Sequence, residues 1–194
     1  MRLYCATTNP GKLREFIELV GNVELLPGLK EIEVHEETGD TFEQNASAKA
    51  IYYSRFCDGA LFVDDSGLEV DALRGAPGVY SARYAGPNAT DEANNRLLIE
   101  NMRGQTNRRA RFVCVVALAA GGKLVKTFRG EVEGELLEEP RGSNGFGYDP
   151  LFFYPPFEAA FGEVSAARKA QVSHRAQALR AMRAYLDATK LLDT

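Results

Sequence analysis

Apolar positions along this chain switch between two periods, and the switches mark out its elements. Arg2–Ala6 is a short apolar run of strand character that leads into Asn9-Pro10, a good cap followed by proline at the first helical position. Leu13, Phe16, Ile17 and Val20 then recur at i, i+3, i+4 and i+7, which predicts a helix. Val23–Leu26 and Glu31–Val34 read as short strands. Thr41 to Gln44 has the form of a capping box and opens a helix to about Phe56, with Phe42, Ala46, Ala50 and Tyr53 on its apolar face. Leu61–Val63 reads as a short buried strand ending in two acids, and Thr90 caps a helix reaching about Met102.

The second half is richer in strands. Arg111–Ala119, Gly121-Gly122 and Leu124–Phe128 predict a β-hairpin, and Val132–Leu137 adds another strand. From Pro140 to Pro156 the chain is dense in glycine, proline and aromatics and reads as a loop. Ser173 starts a final amphipathic helix carrying Leu179, Met182 and Leu186. Helices and strands interleave while hairpins intrude, so the expectation is an α/β fold with a mixed, twisted sheet and flanking helices. With 194 residues and no repeat or linker, a single domain over 1–194 is expected.

Composition narrows the class. The chain is 45% hydrophobic and 26% charged, as in ordinary globular proteins, and no apolar run approaches the roughly 20 residues that span a bilayer. The N-terminus lacks the apolar stretch of a signal peptide, so a cytoplasmic location is the expectation. Cys5, Cys57 and Cys114 are odd in number and lack C-x-x-C spacing, which favours reduced thiols over disulfides or zinc. A net charge of −4 argues against duplex nucleic acid or an anionic membrane as the main partner. A small polyanion remains compatible, provided its site is local.

Five segments can carry chemistry. Thr7-Thr8-Asn9-Pro10-Gly11-Lys12 stands where a strand meets a helix, and a helix N-terminus with a lysine suits phosphate, although the G-x-x-x-x-G-K-S/T loop is absent. Asp64 and Asp65 end an apolar strand, where paired carboxylates are costly unless a cation offsets them; Mg²⁺ is the natural hard partner. Alternation along the strand aims the two acids differently. Glu36-Glu37 is a third acidic cluster, and Asn45 and Lys49 share one face of the helix behind it. Gly142 to Pro150 brings Phe146 and Tyr148 for stacking and Asp149 as an acceptor. Lys169, Ser173, His174 and Arg175 close the set. Each segment also has a plain structural reading: a capped helix, an acidic turn, a solvated lysine, an aromatic-plugged turn, surface charges.

Taken together the segments resemble the inosine triphosphate pyrophosphatase (Ham1-like) family. The matching pieces are T-x-N-x-x-K, E-E-T-G-x-T-F-x-x-N-A-x-x-K-A, D-D-S-G-L-x-V-D, G-A-P-G-V-Y-S-A-R-Y, G-F-G-Y-D-P and K-x-x-x-S-H-R, in that order from Thr7 to Arg175. The resemblance implies an elongated α/β structure with two lobes around a cleft, a homodimer, and Mg²⁺-dependent cleavage of ITP, dITP and XTP to monophosphate and pyrophosphate. It implies that Thr7, Thr8, Asn9, Pro10, Gly11, Lys12 and Lys49 bind the triphosphate. Asp65 would hold Mg²⁺ and accept the proton of the attacking water, with Asp64 in support and Glu36 or Glu37 as a further metal-associated acid. Ser66, Phe146, Gly147, Tyr148, Asp149, Lys169, His174 and Arg175 would contact the nucleotide. Thr8 stands where the family often has glycine, and a positive φ there would strain it.

Donors such as Arg175, His174 and backbone N–H groups would pair with the 6-keto oxygen of inosine and reject the amino group of adenosine. Exclusion of GTP has no visible basis in the sequence. Two other readings stand beside this one. A Maf-like pyrophosphatase for modified nucleotides would carry an S-x-S-x-R-R start, which is missing, and a non-hydrolysing nucleotide sensor gains little from Asp64 and Asp65 beside lysines.

Overall fold

The structure is a computed structural model and describes residues 1–192. Seven strands form one mixed sheet in the order β2-β1-β3-β4-β5-β6-β7, with β1 Leu3–Cys5, β2 Glu24–Leu25, β3 Ala60–Val70, β4 Arg109–Ala120, β5 Lys123–Leu136, β6 Phe152–Tyr154 and β7 Ala159–Ala160. β1 lies parallel to β2 and β3, whereas β6 is antiparallel to β5 and β7. Five α-helices accompany it: α1 Pro10–Val20, α2 Phe42–Tyr53, α3 Asp91–Asn101, α4 Ala166–Ala170 and α5 His174–Thr189. The expected α/β class with a mixed sheet and helices is what the chain adopts.

Two compact units are present. The first comprises residues 1–65, 114–130 and 175–192 of the described chain, the second residues 66–113 and 131–174. The core of the first is built from Phe16 and Val20 of α1, Phe62 of β3, Val116 and Leu118 of β4, and Leu179 and Met182 of α5. Phe16 meets Phe62 edge-on at 5.1 Å, a favoured geometry of aromatic pairs. The second core gathers Leu68 of β3, Leu98 of α3, Phe112 of β4, Phe152 of β6 and Phe161. Each fully buried side chain of this size contributes roughly 1.5–3 kcal/mol.

Local chemistry sets the element boundaries. Asn9 Oδ1 accepts from the N–H groups of Gly11 and Lys12, capping α1. Thr41 Oγ1 accepts from Gln44 N at the start of α2, while the Gln44 side chain accepts from Asp40 N, one residue before the position a closed capping box requires. Gly121 and Gly122 take φ of +55° and +77°, the left-handed pair that a tight hairpin turn between β4 and β5 needs.

Five expectations differ from the fold. Glu31–Val34 forms no strand; Val34 is 76% exposed, so the segment has no core face to bury. α2 stops at Tyr53 and a 3₁₀ turn carries the chain over Ser54–Phe56. Leu61–Val63 lies near the start of an eleven-residue strand that continues through both aspartates. The Pro140–Pro156 stretch contains β6, and Leu124–Phe128 and Val132–Leu137 fuse into the single strand β5.

Candidate active site

The first unit assembles the acids and cations of the N-terminal motifs. Asp64 and Asp65 follow each other on β3, both buried, and take different partners. Asp64 Oδ1 receives Lys12 Nζ from α1 at 2.9 Å, and Asp64 Oδ2 accepts from Arg175 Nε and Nη2 at 3.1 and 3.0 Å. Arg175 Nη1 donates to Glu15 Oε2 at 2.6 Å. Burial pushes the Asp64 carboxyl up, yet Lys12 and Arg175 outweigh it and hold it well below the usual carboxylate range.

Asp65 has a different environment. Its Oδ1 lies 3.4 Å from Lys49 Nζ of α2, and its buried Oδ2 has no hydrogen-bond partner. Burial raises its proton affinity, Lys49 opposes and Glu37 adds to the rise, so the net direction is upward. Lys49 Nζ also donates to Glu37 Oε1 at 2.6 Å and to the Asp64 carbonyl at 3.2 Å. Burial lowers the lysine's affinity, but Asp65 and Glu37 reverse this and keep it charged. Glu37 is brought here by Asn45, whose Oδ1 accepts from Gly39 N at 2.8 Å; a Cβ on Gly39 would lie 2.7 Å from that oxygen. Glu36 is exposed.

Thr7 and Thr8 lie on the turn before α1, with Thr7 Oγ1 accepting from Asn9 N at 3.2 Å. Two donors at this helix start are already engaged by Asn9, so a phosphate here would meet Lys12 and the threonine hydroxyls before the capped N–H groups. Among the described residues other than glycine, Arg74, Asn88, Glu158 and Lys190 take positive φ, so Thr8 sits in ordinary backbone and carries no such strain. A cavity of about 440 Å³ borders Thr7, Thr8, Asn9 and Pro10 on one side and Leu25 to Glu31 on the other.

The second unit holds the aromatic loop. Asp149 Oδ2 accepts from Phe146 N at 3.0 Å and from Lys169 Nζ at 2.6 Å, with Lys169 and Asp149 both buried. The Lys169 ammonium stands 4.9 Å from the centroid of the half-buried Phe146 ring. A Cβ on Gly145, at φ +76°, would fall 2.0 Å from Asp149 Oδ2, so only glycine fits. Tyr148 is buried and its hydroxyl donates to the Ser81 carbonyl at 2.7 Å. His174 stacks on Phe112 with centroids 4.7 Å apart, and Ser66 is partly exposed on β3.

Of the residues that the sequence singles out, Lys12, Lys49, Glu37, Asp64 and Asp65 meet in one charged cluster in the first unit, and Phe146, Asp149 and Lys169 in one in the second. Arg175, expected among the nucleotide contacts, has its guanidinium buried on Asp64 and Glu15. Glu15 is an addition to the expected set; its only sequence signal is the i, i+3 spacing from Lys12 that puts both on one face of α1. Asn45's grip on Gly39 likewise has no sequence signal beyond its shared face with Lys49.

A hard divalent cation fits this donor set. Asp65 offers a buried carboxylate oxygen with an unused lone pair, and Glu37 stands on the same ammonium. Among the described residues no three His, Cys, Asp or Glu side chains form a ready-made cage, which suits an ion that shares its shell with water and substrate phosphates. No helix among the described residues is long and apolar enough to cross a membrane.

Comparison with known proteins gives a consistent picture. The Ham1 family profile matches residues 3–185. A dITP/XTP pyrophosphatase of an Exiguobacterium species is 50% identical over 188 residues, covering 95% of this chain and 96% of that protein. The dITP/XTP pyrophosphatase of Acidobacterium capsulatum is 46% identical, covering 96% and 98%. Among solved structures, the Ham1 protein of Staphylococcus aureus superposes with a TM-score of 0.87 at 38% identity, over 97% of this chain and all of that one.

Proposed function

Because this chain belongs to the Ham1 family, we propose that it is a nucleoside-triphosphate pyrophosphatase, cleaving the non-standard purine nucleotides ITP, dITP and XTP to the monophosphate and pyrophosphate. Its two units act as one catalytic domain over residues 1–194, in the cytoplasm, as a homodimer, with neither nucleic acid nor membrane as partner. The observation that carries the chemistry is Asp65: a buried carboxylate whose proton affinity is raised, with one oxygen on Lys49 and the other without a partner.

In this reading Asp65 and Glu37 hold Mg²⁺, and Glu36, exposed beside them, does not. When bound, the ion would neutralise phosphate charge and polarise the α-phosphoryl group. Lys12 and Lys49 exchange part of their contact with carboxylates for contact with the triphosphate, and Thr7 to Gly11 line its path. Asp65 takes a proton from water as the water oxygen bonds to the α-phosphorus and the bridge to the β-phosphorus breaks, leaving with its electron pair on pyrophosphate. A carboxylate of raised affinity is the stronger base, which supports this assignment. Asp64, held ionised by Lys12 and Arg175, keeps those cations in place.

Phe146, Gly147, Tyr148, Asp149, Lys169, Ser66 and His174 form the nucleoside end in this proposal, with Phe146 as the stacking face. Arg175 acts through Asp64, so recognition of the 6-keto oxygen falls to the remaining donors. The test is direct: purified protein with ITP and Mg²⁺, followed by pyrophosphate detection. Release of pyrophosphate from ITP, dITP and XTP, with ATP turned over at least a hundredfold less efficiently, is the expected result. Release of orthophosphate, or no turnover of any of the three, overturns the proposal.

A further inference from the structure

The segment Gly78–Arg83 and the helix α3 belong to the second unit, and neither contributes to the charged clusters described above. Their polar side chains are nonetheless spent on the aromatic loop. Gly147 N donates to Asp91 Oδ2 at 2.6 Å, and Gly147 O accepts from Asn95 Nδ2 at 2.9 Å, so two residues of α3 one turn apart hold both polar backbone groups of one glycine. The next residue on each side is a functional candidate: Phe146 and Tyr148. The adjacent Asn94 accepts from Ala85 N at 2.8 Å and donates to Ala82 O at 3.2 Å, fastening the turn whose Ser81 carbonyl receives the Tyr148 hydroxyl. Ser81 Oγ is itself anchored, accepting from Leu68 N of β3 and donating to Gly78 O.

We infer that Asp91 and Asn95 are positioning residues for the nucleobase, fixing the Gly147 backbone and through it the Phe146 ring and the Asp149 carboxylate. The inference rests on the nucleoside role proposed for this loop. Three observations favour it over a merely structural clamp. Gly147 takes φ +61° and a Cβ there would meet nothing within 4 Å, so the glycine serves a backbone conformation and not a tight fit; such a conformation needs holding. Asn95 is 9% exposed and its Oδ1 has no hydrogen-bond partner, an unfavourable arrangement for a residue selected for stability alone. Asp91 is exposed at the first turn of α3, where its carboxylate is not needed for the core yet reaches a loop 56 residues away. The loop and this helix also border a cavity of about 510 Å³, so little else packs against the loop on that side.

The inference predicts a split between base and phosphate. In an Asp65→Asn background, which holds nucleotide without turnover, calorimetry would compare ITP with inorganic tripolyphosphate for Asp91→Ala, Asp91→Asn, Asn95→Ala and Asn95→Asp. Asp91→Ala and Asn95→Ala are expected to weaken ITP by about tenfold and leave tripolyphosphate unchanged, because each removes one hydrogen bond to the loop. Asp91→Asn, which retains an amide oxygen as acceptor, restores most of the affinity; Asn95→Asp, which offers Gly147 O no donor, does not. In the turnover-competent protein the same alanine variants raise KM for ITP, keep kcat within about threefold, and narrow the preference for ITP over ATP.

Equal loss of ITP and tripolyphosphate affinity, or a fall in kcat accompanied by a lowered melting temperature, would overturn the positioning role in favour of a structural one. Unchanged ITP affinity in both Asp91→Ala, whose exposed position keeps the fold safe, and Asn95→Ala would overturn it outright. Failure of the parent protein to release pyrophosphate from ITP is a separate result: it removes the proposed reaction, while the affinity comparison still decides whether α3 sets the nucleoside end.

Discussion

Asp64 and Asp65 are consecutive on one strand and both buried, yet the fold drives their proton affinities in opposite directions. The pleat sends Asp64 to Lys12 and Arg175 and Asp65 to Lys49, so the first meets two cations, one of them shared with Glu15, and the second has one, shared with Glu37. One carboxylate is thereby held ionised and its neighbour is left the more readily protonated of the two, which is what the base proposed above requires.

The pair therefore responds differently to the same change. Asp65→Asn keeps the shape and removes the base: the melting temperature stays within a few degrees and ITP turnover falls by at least a thousandfold. Asp64→Asn leaves Lys12 and Arg175 facing a neutral amide in a buried site, at a cost of about 3–5 kcal/mol. Thermal denaturation of the two variants side by side checks this; equal stabilities would refute the division of labour.

Much of this is legible in the sequence, and the failures have physical causes. The caps at Asn9, Thr41 and Thr90 and the Gly121-Gly122 turn are local, so residues adjacent in sequence suffice to read them. β5 reads as two strands because its buried alternation, Phe128, Gly130, Val132, Gly134, Leu136, is broken by glycines that carry no hydrophobic signal. Gly134 is there because Phe153 O and the Phe152 ring come too close for a Cβ, a cause that lies in the neighbouring strand. β3 reads as ending at its aspartates, since their burial is offset by Lys12 and Arg175 on Asp64 and by Lys49 on Asp65, all remote in sequence. The candidate site is legible as a set of motifs, but that Glu37 meets Lys49 while Glu36 stays exposed, and that Arg175 is buried on Asp64 and Glu15, have no local trace.

Metal removal follows from the same charge balance. Glu37 and Asp65 already have an ammonium partner in Lys49, so the fold does not depend on a cation to screen them. EDTA is expected to abolish pyrophosphate release while shifting the melting temperature by no more than about 3 °C, and excess Mg²⁺ to restore activity. Full turnover in EDTA would refute the assignment of Asp65 and Glu37 to a metal.

The thiols differ in reach. Cys5 is buried, and desolvation, aided by Asp64, pushes its pKa up to about 12; Cys114 is fully buried and raised further by the same two causes. Cys57 is partly exposed and raised by burial. A thiol reacts as thiolate, so raised affinity means less reaction at a given pH. At pH 8 a disulfide reagent is expected to modify one thiol in the native protein, Cys57, and all three after denaturation. Mass spectrometry identifying Cys5 or Cys114 as the native-state site would contradict the packing of β1 and β4.

Gly145 tests how tightly the aromatic loop is built. Its φ of +76° and the mere 2.0 Å that would separate a Cβ from Asp149 Oδ2 are two separate objections to a side chain. Gly75 serves as the control, since it has φ +89° but open space around a Cβ. Gly75→Ala meets only the backbone objection, about 1–2 kcal/mol. Gly145→Ala must also drive Asp149 off the buried Lys169 ammonium, which adds the cost of an uncompensated charge, about 3–5 kcal/mol. For a chain of this length the difference corresponds to a melting temperature lower by on the order of 10 °C for Gly145→Ala than for Gly75→Ala. Since Phe146 N also bonds Asp149, ITP affinity is expected to fall in Gly145→Ala, whereas Gly75→Ala leaves that bond and the affinity intact. Equal melting temperatures would mean that the Asp149–Lys169 pair contributes nothing to holding the loop.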